Sequence, residues 1–190
     1  INANYCDFSC PTIGNLLQNG SFENPAKNGY YGFEQMPYWT NAVDGNKIEI
    51  QGANLYCVGC WTPPANGIQF VEINGGAPGN IHQDVTVLPN KTLELSFMHR
   101  ARESAVGAEK LRVTLSDPTN NSNVYTFDVT AVHGIWKKIT GNYVTAANQT
   151  SVRVRLQTIT SLYPGSGNYL DNVTLNYVDC GPNTATIIGS

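Results

Sequence analysis

The chain has 190 residues, enough for one large domain with its own core; 13% of them are charged and 10% aromatic, the composition of a folded protein with a polar, weakly charged surface. A net charge of -3 with no basic stripe excludes nucleic acid as an expected partner. No apolar run approaches the roughly 18 to 20 residues of a membrane span, so no membrane insertion is expected.

Residues 1–14 form an N-terminal segment carrying Cys6 and Cys10. No charged-then-apolar leader stands at Ile1, and any signal peptide is expected to have been removed already. From residue 15 to 179 the hydrophobic pattern has period two, and no window carries the i, i+3, i+4 spacing of an amphipathic helix. Strands are predicted at 48–50, 68–73 and 81–87. In 92–98, Leu93, Leu95 and Phe97 share one face; in 111–115, Leu111, Val113 and Leu115 do so with Arg112 and Thr114 outside. The alternation continues in 124–132, with Tyr125, Phe127 and Val129 together, then in 136–144. In 152–156, Val152, Val154 and Leu156 alternate with Arg153 and Arg155, and a last strand is predicted at 169–178. Clusters of Pro, Gly and Asn at 88–90, 117–120 and 163–167 mark turns between strands. About ten strands with short connections predict an all-β sandwich of two antiparallel sheets, a jelly roll. The irregular stretch 52–66 reads as a surface loop pinned by cysteines. Residues 180–190 are a C-terminal tail whose β-prone run 184–188 suits an inter-subunit strand.

Five cysteines, Cys6, Cys10, Cys57, Cys60 and Cys180, lie at the ends and in that loop, where disulfides fit better than a zinc site with half its ligands. Two internal bridges leave one thiol over, either free or joined to another molecule. Sequons at Asn19, Asn90, Asn120, Asn148 and Asn172 agree with an oxidising, secretory route and covalent N-glycans. The expected location is the cell surface or extracellular matrix.

The run Asn15-Leu16-Leu17-Gln18-Asn19-Gly20-Ser21-Phe22-Glu23-Asn24-Pro25 resembles the opening of galactose-binding-like jelly-roll domains of bacterial surface and plant cell-wall proteins, related to carbohydrate-binding modules. Further landmarks follow in the same order: Pro37-Tyr38-Trp39, 46–50, 67–74, 81–84, 96–102 and Gly167-Asn168-Tyr169-Leu170-Asp171-Asn172-Val173. The resemblance implies a non-catalytic protein that binds sugar polymers or builds surface structures. It also implies a structural calcium held by Glu23 and Asp171, and no organic cofactor; the alternative is that both acids merely accept hydrogen bonds from turn amides at the end of the sandwich. Parity supports Asp171, which alternates in register with Val173, Leu175 and Tyr177; an inward carboxylate must be paired or bind a cation.

Trp61 and Tyr56 in the cysteine loop, with Tyr163, are candidates to stack on sugar faces, with Arg100 and Arg102 to bind hydroxyls. Trp39 and Trp136 read as core residues. His99, Arg100 and Arg102 end one strand and Arg153 and Arg155 decorate another, so they either line one binding face or are simply solvated. No nucleophile motif, zinc-ligand spacing or marked carboxylate pair points to an enzyme. The expected function is a secreted, N-glycosylated structural subunit that assembles with copies of itself through its tail; the alternative is a module that recognises matrix or cell-wall polysaccharide.

Overall fold

The computed structural model describes residues 14–27, 32–43, 48–52 and 63–178. Tyr56, Trp61, all five cysteines and the 180–190 tail, with the disulfide, sugar-stacking and strand-exchange expectations placed on them, lie outside the described residues. Those residues form eleven strands and no helix: β1 (Gly32–Glu34), β2 (Thr40–Asn41), β3 (Ile48–Gly52), β4 (Gln69–Glu72), β5 (Asn80–Thr86), β6 (Thr92–Ala101), β7 (Lys110–Ser116), β8 (Tyr125–Thr130), β9 (Lys137–Val144), β10 (Ser151–Thr160) and β11 (Asn168–Tyr177). All the pairings between strands are antiparallel, giving a six-stranded sheet in the order β1-β3-β4-β11-β6-β9 and a five-stranded sheet in the order β2-β5-β10-β7-β8. This is the jelly-roll sandwich that the alternation predicts.

The two inner faces meet in one core. Leu93, Leu95 and Phe97 of β6 and Leu170, Val173 and Leu175 of β11 face Ile81 of β5, Leu111, Val113 and Leu115 of β7, and Val152, Val154 and Leu156 of β10. Burying such side chains stabilises the fold by about 1.5 to 3 kcal/mol each. Trp39 is buried as expected, tilted against Phe22 at 5.4 Å and donating from Nε1 to the Asn19 carbonyl. Trp136 is half-buried instead, edge-on to Phe70, with its Nε1 donating to the Pro63 carbonyl at 2.8 Å.

The opening motif earns its place through β11. Asn15 accepts from the amides of Leu17 and Leu175 and donates to the Val173 carbonyl, so one side chain satisfies three backbone groups. Gly20 is required by close approach, because a Cβ there would lie 2.0 Å from the Val173 carbonyl oxygen. Both contacts straddle a register shift in β11 between Asp171 and Thr174.

That shift reverses the parity expected for Asp171. Leu170 and Val173 both face the core, so the irregularity at Asn172 (φ 48°) leaves Asp171 on the outer side, opposite Met98. Two further differences concern short elements. β1 and β2, of three and two residues, carry no readable alternation, and β6 runs on through His99 and Arg100 rather than ending at Met98.

Candidate functional site

The two outer faces differ in kind. On the six-stranded sheet, β3, β4 and the first half of β11 are buried on both sides, since residues 63–68 and Trp136 lie against them. The outer face of the five-stranded sheet carries polar side chains across its full width. Strand register sets its rows: Thr40, His82, Arg155, Thr114 and Thr126 run straight across all five strands. Asn80, Gln157, Arg112 and Asp128 form a row on one side of it, and Asp84, Arg153 and Ser116 a row on the other.

Two ion pairs on this face are bidentate. Arg153 holds both oxygens of Asp84 at 2.7 Å, and Arg112 holds those of Asp128 at 2.8 and 2.9 Å. The Arg153 hydrogen bonds pull the Asp84 carboxyl below its ordinary range. Burial, reinforced by the charge of Arg153, lowers His82, keeping its ring neutral at physiological pH. Asn80 Oδ1, His82 Nδ1 and Arg155 Nε are shielded from solvent and have no hydrogen-bond partner. Beside them, at the β2 edge, a cavity of about 600 Å³ is lined by residues including Gln18, Tyr38, Thr40, His82 and Asp84. Tyr38 stands 59% exposed at its rim, held by a left-handed backbone (φ 72°). An apolar ring beside a polar, incompletely satisfied surface is what a sugar, with its apolar faces and hydroxyl rim, requires.

A second cluster lies on the opposite side of the sandwich. Glu49 and Glu72 face each other across β3 and β4, both almost fully buried. Gln51 Nε2 donates to Glu49 Oε1 at 3.2 Å and to Glu72 Oε2 at 2.6 Å, while the Gly167 amide and Arg102 also donate to Glu72. Burial, then the charge of Glu49, pushes Glu72 up to about 8; burial lifts Glu49 to about 6. The two carboxyls thus share Gln51 Nε2 as a donor.

Glu23 and Asp171 do converge, on the turn around residue 67. Glu23 Oε1 accepts from the amides of Ile68 and Gln69, and Asp171 from those of Asn66 and Asn172. Gly67 sits at φ 65°, where a Cβ would come within 2.1 Å of Glu23 Oε1. Burial, opposed by these amides and reinforced by the charge of Glu23, lifts Asp171 to about 7. Four backbone amides already engage the two carboxylates, and among the described residues no third acidic, histidine or cysteine side chain joins them, so a cation here would draw most of its oxygens from backbone carbonyls and water.

Of the other expected residues, Tyr163 is 58% exposed on the turn between β10 and β11, where it bridges to Ser166. Arg100 is half-buried on the six-stranded sheet with its Nε unpartnered, and Arg102 is committed to Glu72. Arg100 and Arg102 therefore do not share a face with Arg153 and Arg155; the sandwich separates them. His99 points inward, bonded to Asn168 at 2.8 Å, and burial lowers it to about 4. Asn90, Asn120 and Asn148 are exposed on the three loops at one pole, whereas Asn19 and Asn172 are half-buried. The sequence singles out neither Tyr38 nor His82: β5 turns His82 and Asp84 to one face, and only the fold brings Tyr38 beside them.

The two antiparallel sheets packed face to face make this a jelly-roll module. The pattern of the family described as "Carbohydrate binding domain" matches residues 14–165, and the chain belongs to that family. It is 26% identical over 165 residues to Halomucin of Haloquadratum walsbyi, covering 85% of this chain but spanning only about 2% of that relative's length. Among solved structures, TmCBM61 in complex with β-1,4-galactotriose superposes with a TM-score of 0.61 at 17% identity, over 86% of this chain and 98% of that one. A cyclase from Fischerella sp. TAU gives 0.62 at 15% identity, over 90% and 99%, and the second family 16 carbohydrate-binding module 0.55 at 17%, over 85% and 99%. At these identities the likeness shows the fold alone.

Proposed function

We propose that this protein is a secreted, non-catalytic carbohydrate-binding module that holds a polysaccharide across the outer face of its five-stranded sheet. Family membership supports the sugar. The observation that carries the face is the conjunction of its polar rows, Thr40 through His82, Arg155 and Thr114 to Thr126 among them, with the Tyr38-rimmed cavity. Glu49 and Glu72 are buried and engaged by Gln51, Arg102 and the Gly167 amide rather than open to a cleft, which supports binding over catalysis. N-glycans on Asn90, Asn120 and Asn148 would crown one pole and leave this face open. A calcium ion on Glu23 and Asp171 would fix the turn around residue 67, a structural role remote from the face.

The test is affinity electrophoresis through a panel of polysaccharides, comparing the wild type with Tyr38→Ala and His82→Ala. Retardation of the wild type by at least one polysaccharide, weakened in both variants, is the expected result. Retardation untouched by either variant would move the site elsewhere. The odd cysteine count favours, as a second reading, covalent joining to another molecule within a larger assembly. Light scattering with and without reductant distinguishes a linked species from a monomer.

A further inference from the structure

We propose that the five-stranded face selects acidic polysaccharides, chains bearing carboxylate or sulfate groups, and that Arg155 is the residue that binds the anion. The inference rests on the carbohydrate-binding reading and deepens it. The charges on this face do not balance. Lys110, Arg112, Arg153 and Arg155 point outward from β7 and β10, against Asp84 of β5 and Asp128 of β8, an excess of positive charge on a chain whose net charge is -3.

Its distribution is more telling than its sum. Asp84 and Asp128 each have both oxygens engaged by one guanidinium, so those pairs are neutral and closed. Arg155 lies in the central row, opposite His82 on one side and Thr114 on the other, both uncharged. Among the described residues it makes no salt bridge, and its Nε lacks any partner. Asp84, in the neighbouring row, is already held by Arg153.

A guanidinium held in the middle of a sheet, flanked by neutral donors, matches the planar oxygens of a uronate or sulfate bidentately. The alternative design for neutral sugars uses free carboxylates to accept from hydroxyls, and here both carboxylates are occupied. Thr40, Thr114 and Thr126, in the same row as Arg155, remain to bind hydroxyls on neighbouring sugar units.

The experiment compares wild type, Arg155→Gln, Arg155→Lys and Thr114→Glu in affinity electrophoresis and calorimetry. The panel contains polygalacturonate and alginate, heparin and dextran sulfate, and the neutral xylan, galactan and laminarin, with single-stranded DNA as a polyanion that is not a sugar polymer. Acidic polysaccharides should retain the wild type, neutral ones should not, and retention should fall as salt rises. Arg155→Gln should weaken binding by about tenfold or more and Arg155→Lys by less. Thr114→Glu, which supplies Arg155 with an internal carboxylate at the neighbouring register position, should abolish retention if the glutamine variant fails to fold. The uronate and sulfate arms separate the two sources of the anion.

Retention by neutral polysaccharides alone would overturn the inference and leave the carbohydrate-binding reading standing. Retention by none would remove both. Equal retention by DNA, or acidic retention indifferent to Arg155→Gln and Thr114→Glu, would also overturn it.

Discussion

Replacing Glu49 with glutamine should make the protein more stable in alkaline solution and not in acid. In the wild type, burial lifts Glu49 from 4.5 to about 6 and Glu72 from 4.5 to about 8. The folded chain therefore holds protons that the unfolded chain has released, so these groups make stability fall as pH rises through 4.5 to 8. For Glu49 alone the elevation costs about 2 kcal/mol above pH 7, at 1.36 kcal/mol for each tenfold change in proton affinity. Glutamine at 49 keeps an oxygen to accept from Gln51 and carries no charge. It also removes the like charge that helps raise Glu72, leaving Glu72 ionised against Arg102 at 2.9 Å. Urea unfolding followed by tryptophan fluorescence at pH 5, 7 and 9 measures the difference. The expected gain is about 2 kcal/mol at pH 9, shrinking to under about 1 kcal/mol at pH 5. A difference that does not change with pH, or a variant less stable at pH 9, would refute the reasoning.

Asn15→Ala leaves the Leu17 and Leu175 amides and the Val173 carbonyl without their partner, a loss of about 2 to 3 kcal/mol in chemical denaturation. Leu156→Ala, at the centre of the core, should cost about 2 to 5 kcal/mol by the same measurement. If calcium occupies the corner at Glu23 and Asp171, it should stabilise by about 2.7 kcal/mol at a hundredfold excess over its dissociation constant. Because Asp171 is lifted to about 7, its ionisation without a cation destabilises the fold as pH rises towards that value. The melting-temperature gap between calcium and EDTA should therefore widen from pH 5 to pH 8, and Asp171→Asn should close it. Tyr38→Ala, at an exposed ring, should leave the melting temperature unchanged while weakening sugar binding by about 2- to 10-fold, a stacking contribution of about 0.5 to 1.5 kcal/mol.

The strands with one buried face were legible because burial imposes period two. The leucines of 111–115 and the valines of 152–156 show it directly, and their outward partners Arg112, Arg153 and Arg155 were placed correctly. β1 and β2 were not legible, being too short to repeat. Asp171 was assigned the wrong side, because one extra residue in a strand reverses parity and nothing at Asn172 announces it in the sequence. Its carboxylate is buried nonetheless, and it meets Glu23 at the turn around residue 67, where backbone amides donate to both.

The proposed binding face was harder to read, for a physical reason. Parity tells that Arg155 points outward, but its neighbours come from β5 and β7, and only the register shows that they are His82 and Thr114 rather than carboxylates. Arg100 and Arg153 look equivalent in sequence, each outward on a strand, yet they belong to different sheets and face opposite directions. Tyr38 owes its exposure to the left-handed turn before β2, which carries no signature beyond the Pro37 preceding it.

The central claim is that a sugar polymer lies across the five-stranded sheet. Its most direct test is amide chemical-shift mapping during titration with an oligosaccharide from the polysaccharide that retains the protein best. Shifts concentrated at Tyr38, Thr40, 80–86, 112–114 and 153–157 are predicted. Shifts confined to the six-stranded sheet, or to the polar loops bearing Asn90, Asn120 and Asn148, would contradict the account.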